Sequence, residues 1–82
     1  MHRPQMNLHR KEPAYSVIER LGGKSWLSKH LGLDRSTLTR WTMAKPHGTG
    51  GFIPQQYWPA LIEVGRIIQR PIKLKDLAGF GR

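Results

Sequence analysis

The chain has 82 residues, room for one small domain, with 38% hydrophobic residues and no cysteine, which excludes a disulfide framework and any thiolate metal site. Fourteen Lys and Arg stand against five Asp and Glu, a net charge of +9 at pH 7, and counterion release draws so basic a domain to polyanions. No apolar run approaches the ~18 residues that a membrane span needs, and residues 1–11 lack the apolar stretch of a signal peptide, so the expected compartment is the cytoplasm, in association with the nucleoid.

Residues 1–12 contain Arg3, Arg10 and Lys11 but no helical period. They read as a flexible basic arm of the kind that enters a minor groove, ahead of a single domain over 13–82. The first helix is expected to open at Pro13, where a missing N–H costs nothing. Ala14, Val17, Ile18 and Leu21 then recur at i, i+3, i+4 and i+7 as a core stripe, and Gly22-Gly23 stops the helix. The spacing predicts a second helix over about 24–31, with Leu27 and Leu31 on one face and small Ser28 at a close helix crossing. Lys24 and Ser25 fall at its N-terminus, where free N–H groups and the dipole favour a phosphate. Lys29 and His30 face outward. Of the apolar set, Trp26 is the member least expected to be buried.

Gly32 is suited to the left-handed conformation that ends this helix, and Asp34 to capping the next by accepting a backbone N–H. That third helix is expected over about 35–43, with Leu38 and Trp41 inward and Arg35, Ser36, Thr39 and Arg40 outward. Two guanidinium forks and two hydroxyls are groups that read base edges and phosphates. Pro46 biases Lys45 away from helical angles and closes the segment.

The stretch from Ala44 to Pro54 carries Gly48, Gly50 and Gly51 and cannot be helical. Two readings stand: a plain linker, or a loop that approaches phosphates through Lys45, His47, Thr49 and Gly50. It lacks the Gly-Lys-Ser/Thr ending of a nucleotide loop. One turn at about 54–57 and a main helix at about 59–69 should follow, separated by Pro59. Trp58, Leu61, Ile62 and Ile68 point to the core, with Gly65 at a close crossing. Tyr57, Val64 and Ile67 form a second stripe, a candidate homodimer surface. Arg70-Pro71 ends the helix, Ile72 and Leu74 read as an extended cover, and a helical turn at 75–78 precedes a tail containing Phe80. The fold class is therefore all-α, with four to five helices.

The spacing Ser28-x3-Gly32-x5-Leu38-x2-Trp41 carries a resemblance. Gly22 to Trp41 resembles the lambda-repressor/Cro-like helix-turn-helix superfamily, and most of all its small phage-type Cro/YdaS branch. Serine stands where alanine is commoner, and Trp26 is bulkier than usual. The resemblance implies that Arg35, Ser36, Thr39 and Arg40 face the DNA major groove. Lys24, Ser25 and outward-facing Lys29 would then touch phosphates. The implied function is sequence-specific binding of double-stranded DNA by a transcriptional regulator of phage or bacterial type, with no cofactor, membrane or small-molecule ligand.

Other chemistry finds little footing. Histidines at 2, 9, 30 and 47 share no metal-binding helical spacing. No nucleophile motif is present and the core is thin, so neither a metal site nor an enzyme is expected. Trp26, Trp41 and Trp58 could stack single-stranded bases, but helical spacing beside leucines reads as core. The alternatives that remain are a nonspecific or RNA-binding basic protein and an antitoxin-type interaction module.

Overall fold

Residues 10–79 are described by a computed structural model, and their secondary structure is entirely helical: α1 (Ala14–Arg20), α2 (Lys24–Leu31), α3 (Arg35–Thr42), a 3-10 turn (Gln55–Tyr57), α4 (Trp58–Ile67) and α5 (Leu74–Ala78). Arg3 of the expected arm and Phe80 of the expected tail lie outside these residues. None of the described helices is long and apolar enough to cross a membrane.

The apolar stripe of α1 does what its spacing predicts. Ala14, Val17, Ile18 and, just past its end, Leu21 are all buried. Around them close Leu27 of α2, Leu38 and Trp41 of α3, Ile53, Leu61 and Val64 of α4, Ile72, and Leu77 of α5. The helix α1 packs on α2, α3 and α5, and α2 packs on α3. Start signals for α1 come from outside the helix. The Glu12 carboxylate accepts the Ser16 N–H at 3.1 Å and the Ser16 hydroxyl at 2.8 Å, satisfying a first-turn donor that has no intrahelical partner.

Gly32 ends α2 at φ 72° and ψ 30°, the left-handed cap its sequence position predicts. The Leu33 N–H returns to the Ser28 carbonyl at 2.9 Å, which sets the angle at which α3 departs. Ser28 is 3% exposed, and its hydroxyl donates to the Ser25 carbonyl at 3.1 Å, a bond that offsets the desolvation of this polar side chain. The N-cap position of α3 is Asp34, but its carboxylate makes no capping hydrogen bond; the Thr37 N–H is met instead by the Asp34 backbone carbonyl at 3.0 Å.

The glycine-rich stretch is neither a free linker nor an open cradle. Its backbone folds over the C-terminus of α3, whose last carbonyls have no partners within the helix. Thr49 N–H donates to the Arg40 carbonyl at 2.9 Å, and Gly50 N–H to that of Met43 at 2.8 Å. The Thr49 hydroxyl lies 3.0 Å from the Trp41 carbonyl oxygen and 2.6 Å from that of Phe52. Gly48 is required here, because a Cβ would collide with the Arg40 carbonyl oxygen and stand 2.5 Å from Met43. The N-terminal segment completes the clamp. Lys11 N–H donates to the Thr42 carbonyl at 2.9 Å, and Ala14 N–H to that of Gly51 at 3.1 Å. Lys11, placed by sequence in the arm, is thus tied by its backbone N–H to the end of α3.

Further along, Pro59 sits in the first turn of α4, directly after the 3-10 turn, and Trp58 anchors the junction by donating to the Ile53 carbonyl at 2.7 Å. Gly65 gives the close crossing its position suggested: a Cβ there would lie 2.7 Å from the Arg70 carbonyl oxygen. Two assignments change. Val64 is 3% exposed and belongs to the core, while Tyr57 is half-buried with its ring 5.1 Å from that of Trp41. Of the proposed dimer stripe only Ile67 is exposed, because α4 is covered over a wider arc than one stripe. Leu74 is not an extended cover but the first residue of α5, 61% exposed; Leu77 fills the core instead.

Candidate nucleic-acid interface

The helix α3 divides into two faces. Leu38, Trp41 and Thr42 are buried, each at most 2% exposed, and they fix the roll of the helix against α1 and α2. Arg35, Ser36 and Arg40 are exposed and Thr39 is half-buried. Arg35 and Thr39 are four apart, as are Ser36 and Arg40, so the four side chains occupy two adjacent rows of a single face. Neither arginine is held by a carboxylate: among the described residues the one ion pair joins Glu63 and Arg66 on α4. In that pair the Arg66 guanidinium, by hydrogen bonding and charge, holds the Glu63 carboxyl below the usual carboxylate range. Both guanidinium groups of α3 are thus available to an external acceptor.

The remaining predicted residues separate into groups. Ser25, Lys29, Lys45 and His47 are exposed. The Arg10 guanidinium lies over the Tyr15 ring, 5.5 Å from its centroid. Lys11 is exposed in its side chain but tied through its backbone to α3. Thr49 and Gly50 do not present donors to a phosphate. Both N–H groups and the Thr49 hydroxyl are engaged by carbonyls of the chain itself, so the expected contact at these two positions is not available.

Lys24 takes a different position from the one expected. It is half-buried, and its ammonium donates to the Thr39 hydroxyl oxygen at 2.9 Å, joining the start of α2 to the middle of α3. It also lines a groove of about 220 Å³ with Arg10, Tyr15, Glu19 and Thr42. Glu19 forms no ion pair with it. Sequence spacing carries no signal for this bond, since the two residues sit on different helices and meet only through the angle set at Gly32. Trp26 is 41% exposed, and its ring stacks on that of His30 at 5.0 Å. The i,i+4 spacing of that pair on α2 would have identified it.

The result is an eight-residue helix presenting cations and hydroxyls on one face, flanked by exposed Lys29, Lys45 and His47. Such a surface can donate hydrogen bonds to phosphate oxygens and to base-edge acceptors. Compared with family models, curated proteins and solved structures, the chain matches none.

Proposed function

We propose that the protein binds double-stranded DNA sequence-specifically and acts as a transcriptional regulator, with α2 and α3 as a helix-turn-helix and α3 as its reading helix. The observation that carries this reading is the division of α3. Its buried side is fixed by Leu38, Trp41 and Thr42, while its opposite side offers Arg35, Ser36 and Arg40 with no internal carboxylate partner. A helix fits the major groove, and an arginine fork matches the paired acceptors of guanine. The net charge of +9 supplies attraction to the backbone. Exposed Ser25, Lys29, Lys45 and His47 are the phosphate contacts in this reading, and exposed Arg10 and Lys11 belong to the basic arm that enters the minor groove.

Selection of bound sequences from a random DNA pool, followed by footprinting, tests it. A short enriched motif with protected phosphates on its flanks is the expected result. Salt titrations on matched DNA and RNA duplexes decide against the nonspecific alternative. Equal affinities with no enriched motif would overturn the reading in favour of a general polyanion binder. Purification with a stoichiometric partner chain and no DNA retention would replace it with an interaction module.

A further inference from the structure

We infer that Lys24 is a specificity-setting residue that acts through Thr39, biasing the Thr39 hydroxyl toward hydrogen-bond donation and so directing it to base-edge acceptors; the inference rests on the DNA-binding reading above. A hydroxyl ordinarily offers one donor and two acceptor sites, and can serve either kind of base edge. Here the Lys24 ammonium, which can only donate, occupies one lone pair of the Thr39 oxygen at 2.9 Å. The Thr39 hydroxyl proton has no acceptor among the described residues; the backbone carbonyl of Thr39 is itself an acceptor, taking the Thr42 hydroxyl at 2.9 Å. A cation donating into an oxygen also polarises the O–H on it, making it a stronger donor.

Geometry holds this choice in place. Lys24 is half-buried at the first position of α2, and Thr39 is half-buried on the face that carries Arg35, Ser36 and Arg40. The groove that Lys24 lines contains Glu19, but that carboxylate does not draw the ammonium away from Thr39. In the major groove, guanine presents N7 and O6 as acceptors and cytosine presents an amino donor. With one of its two acceptor sites taken, the hydroxyl is biased toward donation and accordingly favours the acceptor edge of guanine over the amino donor of cytosine at the position it faces. Two ammonium N–H groups remain for a phosphate or a neighbouring acceptor, so Lys24 contributes to selectivity as well as to affinity.

The test compares the wild-type protein with Lys24→Met, Thr39→Val, Thr39→Ser and the Lys24→Met/Thr39→Val double variant by selection from a random DNA pool. Lys24→Met and Thr39→Val should each reduce discrimination at the same base pair, by about tenfold. Their double variant should be no worse than either alone, and Thr39→Ser should retain the preference. Replacing guanine at that position by 7-deazaguanine should penalise the wild type more than Lys24→Met, and should not penalise Thr39→Val. The readout is a ratio of affinities among sequences, so partial loss of folded protein does not move it. If the wild type enriches a motif but Lys24→Met weakens all sequences equally, Lys24 is a phosphate contact only and the inference falls while the DNA reading stands. If the wild type enriches nothing, the DNA reading itself fails.

Discussion

At the scale of single residues, side chains that look alike in sequence carry different duties. Arg40 and Lys24 are both cations of the α2–α3 pair, yet Arg40 is exposed without a carboxylate partner and Lys24 is half-buried against Thr39. On the proposed DNA-binding reading, Arg40→Ala should therefore cost roughly 1–3 kcal/mol in DNA affinity and relax preference at one or two base pairs. Equal loss on all sequences in a competition assay would instead make Arg40 a backbone contact. Gly48 shows the opposite situation, a residue without a side chain that a structure cannot spare. Gly48→Ala forces a Cβ against the Arg40 carbonyl and Met43, so the loop must shift and release the end of α3. We expect a loss of about 1–3 kcal/mol, seen as a melting temperature lower by at least ~4 °C in a thermal scan.

At the scale of elements, the sequence was most legible where a helical period and a glycine stop agreed. The bounds of α2 follow from Leu27, Leu31 and Gly32, and the stripe of α1 from Ala14 through Leu21. Legibility failed where partners come from distant segments. No local pattern could show that the glycine-rich stretch caps α3, because that depends on Lys11, Thr49 and Gly50 meeting the carbonyls of Thr42, Arg40 and Met43. Val64 was misplaced for a related reason: periodicity gives the angle of a side chain about its helix but not how wide an arc the neighbours cover. The outward residues of α3 were readable because Leu38 and Trp41 fix its roll, and exposure follows by elimination. Leu38→Ala should remove about 2–5 kcal/mol, a large share of the stability of so small a domain. In a urea titration its midpoint should fall sharply.

For the whole molecule, the positive charge is spread over several elements. Lys11, Lys29, Arg35, Arg40 and Lys45 are all exposed, and the acids Glu63 and Asp76 are engaged with Arg66 and with the Lys73 N–H. If the four exposed cations outside α3, Arg10, Lys11, Lys29 and Lys45, neutralise phosphates, the logarithm of affinity should fall with the logarithm of salt concentration at a slope of roughly −3 to −4. A slope near zero in a fluorescence-anisotropy titration would remove backbone contact as the source of affinity.

The backbone clamp at the end of α3 ties together parts of the chain that are made at different times. Its donors Lys11 and Ala14 come from the start of the described fold, and their acceptors are Thr42, the last residue of α3, and Gly51 beyond it. The α2–α3 pair can assemble from neighbouring residues, but the far end of α3 stays open until the chain has closed back on its own beginning. Local fraying of α3 at that end then requires parting of a contact that spans the domain. Amide hydrogen exchange reads this directly: the Lys11 and Ala14 N–H groups should exchange only with global unfolding, at the rate of the core of α1. The exposed face of α3, held this way, keeps its orientation for as long as the domain is folded, and a ligand that binds it adds its stabilisation to the whole domain at once.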